Sequence, residues 1–214
     1  MLKSPIYILS GLGADERVFK KLDFTNFQVT FIKWEQTIGI SLKDYAALHL
    51  AQIKESNPIL IGLSFGGIIA TEIAQQIPIK KAILISSVKN KLELPYYFKW
   101  LGNTNLINFI PNYFLTQTNF ISNWLFSVKT IDEKQLLKDI LNDSNPAYLK
   151  WAMQGIMSWR NEISINNAVH IHGSKDRILP YRFVKCNYTI KNGGHFMVYS
   201  QYNEVMAILS KELQ

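Results

Sequence analysis

Cysteine is almost missing from this 214-residue chain: Cys186 stands alone. One thiol cannot close an intramolecular disulfide, so the fold must be held by its core, and the composition suits a reducing compartment. Unbroken apolar runs of membrane length are missing too. Residues 100–128 carry no charge, but they include Asn103, Asn105, Asn108, Asn112, Asn119, Asn123 and Pro111. A spanning helix would have to bury those amides in lipid, so no membrane span is expected. The opening MLKSPIYILSG is interrupted too soon for a secretory signal, and a cytoplasmic protein is expected. There is no repeat at a solenoid period and no low-complexity segment. No His/Cys/Asp/Glu spacing suggests metal ligation, so neither a metal nor a cofactor is expected. Nor is there a nucleic-acid motif. The net charge of +7 comes from lysines scattered singly or in pairs, such as Lys20–Lys21 and Lys80–Lys81. That pattern reads as a lysine-coated surface, and an acidic carrier protein is the one charged partner it brings into view.

What is present reads as one α/β domain. Hydrophobic residues make up 48% of the chain and charged residues 18%, an ordinary globular balance. Short apolar runs at Ile6–Ser10, Gln28–Lys33, Pro58–Leu63, Lys81–Ser87, Ala168–His172 and Cys186–Lys191 predict strands. Helical patterns separate them. Asp15 caps a short one carrying Val18, Phe19 and Leu22, and Ser41 caps one carrying Leu42, Tyr45, Ala46 and Leu50. Others cover Ile68–Gln76 and the C-terminus from about Gln201, with Val205, Ile208 and Leu209 on one face. Alternation of this kind predicts a mostly parallel sheet of about six strands with helices on both faces. Residues 89–160 break the pattern. They hold four of the five tryptophans and no clear strand, and they predict several amphipathic helices such as Asp132–Leu141.

In such sheets chemistry collects at the carboxyl ends of the strands. There the chain places Gly62-Leu63-Ser64-Phe65-Gly66, a G-x-S-x-G motif between an apolar strand and a helix. A chance match is expected in roughly one chain of this length in twenty, so the motif alone is weak. Its position decides, because a strand-to-helix turn projects a serine and aims helix N–H groups at the reacting centre. Serine needs a base to take its proton. Of four histidines, His49 lies mid-helix, and His170 and His172 lie in or at the end of a strand, where a structural role is the simpler reading. His195 follows Asn192-Gly193-Gly194, a loop able to carry an imidazole over the strand ends to Ser64. The imidazole needs an orienting acceptor, and Asp176 lies in the loop after the penultimate strand, between Ser64 and His195 in chain order. The loop Gly11-Leu12-Gly13 after the first strand offers the backbone N–H of Leu12 as one oxyanion donor, with that of Phe65 as the second.

Together these residues resemble the α/β-hydrolase superfamily over nearly the whole chain. Ser10-Gly11-Leu12-Gly13 is similar to its oxyanion loop, Gly62–Gly66 to its nucleophile elbow, HGSKDRILP to its acid-bearing segment and Gly193-Gly194-His195-Phe196 to its histidine loop. Many members carry histidine where Ser10 stands. The chain also opens on what would be the family's third strand, so the resemblance implies a fold lacking the first two. It further implies a core of residues 1–88 and 161–214 with a helical cap, residues 89–160, inserted between them. The expected chemistry is hydrolysis of a carboxylic ester or thioester through an acyl-enzyme on Ser64. The cap aromatics Tyr96, Tyr97, Phe98, Trp100, Phe109, Phe114, Trp124 and Phe126 are candidates to line a pocket for an apolar acyl or aryl group. A small-molecule receptor on the same fold and a carbon–carbon bond hydrolase are the alternatives, and the oligomeric state stays open.

Overall fold

A computed structural model of the protein describes residues 4–104 and 106–214. Residues 1–3 of the opening segment and Asn105 of the uncharged stretch lie outside the described residues. Among the described residues six strands form: β1 (Ile6–Leu9), β2 (Val29–Phe31), β3 (Ile59–Leu63), β4 (Lys81–Ile85), β5 (Ala168–Gly173) and β6 (Tyr188–Ile190). They pair side by side in the order β2-β1-β3-β4-β5-β6, every pair parallel. The apolar runs of the sequence mark each strand; all but that of β5, which falls one residue short, run one to three residues too long, because the terminal residues turn into the connecting loops.

Side chains alternate between the two faces, as a strand requires. Ile6, Ile8, Ile59, Ile61, Ile83 and Ile85 pack on one face. Tyr7, Leu9, Leu60, Ala82 and Leu84 pack on the other. The second face is covered by α1 (Leu42–Leu48) and α2 (Phe65–Ala74), through Tyr45, Ala46, Ile69 and Ile73. Between β4 and β5 the chain makes α3 (Tyr96–Gly102), α4 (Asn112–Thr116), α5 (Phe120–Phe126), α6 (Ile131–Asn142) and α7 (Pro146–Met157). After β6 come α8 (Met197–Ser200) and α9 (Tyr202–Glu212), which cover the first face with Met197, Val198, Val205 and Leu209. Thr130 and Glu133 cap α6 reciprocally, which starts that helix at Ile131, one residue before the expected Asp132.

The register sets the site. Leu9 stands opposite Gly62, Leu63 opposite Ile85, and Gly173 opposite Ile190, so the strands end at one level. The chain order reverses between β1 and β3: β2 lies outside β1, and every later strand adds on the β3 side. A crevice at such a switch point is where open α/β sheets bind ligands. The loop after β1 and the turn after β3, carrying Leu12 and Ser64, flank that crevice. Among the described residues no helix is long and apolar enough to cross a membrane.

Candidate active site

Ser64 sits between β3 and α2 at φ 52°, ψ −116°, a conformation that costs a non-glycine residue about 1–3 kcal/mol. Its neighbours hold it there. Its N–H donates to the Ile85 carbonyl at 2.9 Å, and its carbonyl accepts from Gly67 N–H at 2.9 Å and from the Ser87 hydroxyl at 2.7 Å. The flanking glycines are required by contact. A Cβ on Gly62 would stand 2.5 Å from the Gly67 Cα, and one on Gly66 would overlap the Leu9 and Ser10 carbonyls. The helix behind Ser64 therefore lies directly against the end of β1, with its positive end at the serine.

His195 reaches Ser64 from the loop after β6. Asn192 turns that loop at φ 59°, and the Gly193 carbonyl accepts from Lys175 N–H at 2.8 Å, fastening it to the loop after β5. His195 Nε2 lies 2.8 Å from Ser64 Oγ, and Nδ1 lies 2.8 Å from Asp176 Oδ2. With Nδ1–H donating to the carboxylate, Nε2 is left to accept the serine proton. Asp176 is buried, and its Oδ1 accepts from Ile178 N–H and Leu179 N–H, both at 2.9 Å. Burial acts to raise its carboxyl. The charge of His195, the hydrogen bond to it, His172 and the Leu179 N–H outweigh that and hold it below the usual carboxylate range. The three side chains named from the sequence thus stand in one hydrogen-bonded line.

The loop after β1 approaches from the other side. A Cβ on Gly11 would lie 3.8 Å from the Ser64 Cβ. Ser10 explains how the loop is held without a histidine. Its hydroxyl donates to the Ala14 carbonyl at 2.5 Å and accepts from Trp34 Nε1 at 2.8 Å. Neither Leu12 N–H nor Phe65 N–H donates to an acceptor among the described residues.

Several neighbours of the site escape a reading by motif. His170 and His172, two apart on β5, share one face and are both buried. His172 Nε2 lies 2.8 Å from the Leu179 carbonyl and 3.6 Å from Asp176 Oδ2, and its Nδ1 lies 3.2 Å from His170 Nε2. His170 Nδ1 has no hydrogen-bond partner among the described residues. Burial lowers both imidazoles, His170 to about 3. The alternation in Ala-Val-His-Ile-His-Gly is the signal that pairs them on one face. His49 is buried at the end of α1, with Nδ1 2.8 Å from the Tyr45 carbonyl. Arg177 ties the acid loop to α5, donating to the Trp124 carbonyl at 2.7 Å and the Ser127 hydroxyl at 3.1 Å.

Ser64 and His195 open into a cavity of about 590 Å³. Its walls are apolar, from Val18 and Leu63 of the core to Leu137, Ile140, Leu149 and Met153 of α6 and α7. Of the eight aromatics expected to line it, Tyr97, Phe98, Phe114 and Phe126 do so. Tyr96, Trp100, Phe109 and Trp124 do not; they lie on the outer surface of the helical segment, each more than half exposed. A second cavity of about 610 Å³, between α1, α2 and α7, is lined by Trp151 and Trp159 and by none of the candidate residues. Among the described residues no three His, Cys, Asp or Glu side chains are grouped as metal ligands.

No protein-family model matches the chain, and no curated protein sequence matches it. Solved structures do. An esterase from Thermogutta terrifontis is 15% identical, with 98% of this chain and 89% of that one covered at a TM-score of 0.73. A bromoperoxidase from Bacillus anthracis is 18% identical, with 99% and 92% covered at 0.68. A meta-cleavage product hydrolase from Pseudomonas fluorescens is 12% identical, with 98% and 90% covered at 0.67. Likeness at this identity gives the architecture: the chain has the α/β-hydrolase fold.

Proposed function

We propose that this protein is a serine hydrolase that cleaves carboxylic esters or thioesters bearing an apolar acyl or aryl group. The observation that carries the reading is the Asp176–His195–Ser64 line at the mouth of an apolar cavity of about 590 Å³. In this reading Ser64 Oγ attacks the carbonyl carbon as His195 Nε2 takes its proton. The oxyanion is held by the N–H groups of Leu12 and Phe65. His195 returns the proton to the leaving alcohol or thiol, leaving an acyl-Ser64 ester. Water then attacks the acyl carbonyl as His195 takes its proton, and His195 returns that proton to Ser64 Oγ as the acyl–oxygen bond breaks and the acid departs. Asp176 fixes the tautomer of His195 and stabilises its charged form. Residues 1–88 and 161–214 serve as the catalytic core and residues 89–160 as a cap. The cytoplasm is the proposed location, consistent with a lone free thiol.

Turnover of a chain-length series of p-nitrophenyl esters tests the proposal. Wild type should turn over many times, and Ser64→Ala should lose on the order of a thousandfold or more in kcat/KM. Binding without turnover would favour a receptor, and undiminished turnover by Ser64→Ala would remove the serine mechanism.

A further inference from the structure

Six aromatic side chains between residues 100 and 124 face water. Trp100 on α3, Phe109 in the turn before α4, Tyr113 and Phe114 on α4, and Phe120 and Trp124 on α5 are each more than half exposed. One exposed apolar side chain is ordinary, but a succession of large ones marks an interaction surface. The elements that carry Trp100, Phe109, Tyr113 and Phe114 all rest on α7, so these rings stand on the outer face of that layer.

The chemistry of this face narrows its occupant. Residues 94–131 contain no Asp or Glu, and their only charges are Lys99 and Lys129, both exposed. Two copies meeting through this face would bring like charges together with no acid in the stretch to pair them. A negatively charged surface meets no such penalty, and the whole chain carries +7. Trp, Tyr and Phe interleaved with asparagine are the side chains that settle at the headgroup level of a bilayer, where a ring is half buried and polar neighbours stay wet. The face is also continuous with the site: Phe114 is exposed and at the same time lines the cavity that reaches Ser64.

We propose that this aromatic face docks the protein peripherally on an anionic phospholipid bilayer, setting the cavity mouth against the lipid. Docking is independent of the chemistry at Ser64. Vesicle flotation of the full chain is the test, with phosphatidylcholine vesicles made with and without phosphatidylglycerol. The protein should float with the anionic vesicles, and less so at high salt. The double substitution Phe109→Asp with Phe120→Asp should lower the bound fraction by about tenfold or more. Both side chains are over 80% exposed, so the variant should fold, which circular dichroism checks. Brominated acyl chains should quench wild-type tryptophan emission, and quenching should fall when Trp100 and Trp124 are replaced by Phe. Ser64→Ala should float like wild type, which separates this result from any failure of hydrolysis. No flotation, or flotation untouched by the double substitution, would overturn the proposal. So would a dimer in sedimentation that the double substitution dissolves, since that would give the face to a second copy.

Discussion

His170 and His172 make the sheet end behind Asp176 sensitive to acid. Burial holds His170 near 3 against an ordinary 6.5, and His172 is lowered in the same way. Between those values the unfolded chain binds more protons than the folded one, so stability rises with pH there. The contribution is complete above pH 6.5 and is lost as pH falls toward 3. Asp176 adds to this at the lower end: its carboxyl is held below 3.8, so its share is present above that value and is lost as pH falls through the folded one. Urea midpoints should therefore drop between pH 6.5 and pH 3. His170→Gln keeps a donor toward His172 but cannot titrate, so its midpoints should fall less steeply. An unchanged slope would clear His170 of that role. Ser64, Asp176 and His195 were legible because a motif, a chain order and a glycine loop each constrain one residue. The closeness of His172 to Asp176 was not, because it depends on residues 174–179 folding back so that Leu179 meets the imidazole.

The packing of β1, β3 and α2 is set by absent side chains. Gly66→Ala would drive a Cβ into the Leu9 and Ser10 carbonyls, which belong to rigid backbone. It should cost at least about 2 kcal/mol in urea unfolding, because the loop after β1 must shift. A stability within 0.5 kcal/mol of wild type, by ordinary surface-substitution standards of roughly that size, would mean the loop gives freely. A second joint lies where the helical segment returns to the core. Trp159 Nε1 donates to the buried Glu72 carboxylate of α2 at 2.6 Å. Trp159→Phe leaves that oxygen without its donor and should destabilise by about 1–3 kcal/mol, read from thermal or urea unfolding. The six strands were visible as apolar runs because a sheet covered on both faces buries every residue of its central strands. Their ends were not, since a loop can begin with the same residue types.

At the scale of the whole molecule, the helices between β4 and β5 divide their aromatics between cavity and surface. The sequence did not reveal that division. α3 and α5 have seven residues each and α4 five, less than two full turns or barely more than one, so no periodicity distinguishes their faces. The division has a consequence for selectivity. Met153 of α7 lines the cavity, so Met153→Trp should shorten the preferred acyl chain in the ester series by filling it. An unchanged preference would place the acyl group elsewhere. The proposed function makes Ser64 the activated nucleophile. Intact-mass spectrometry after exposure to a fluorophosphonate tests it most directly. Wild type should gain one phosphonyl group on Ser64 with loss of fluoride, slowed by excess ester, and Ser64→Ala should gain none. A wild type that stays unmodified, or a variant that labels equally, would contradict the account.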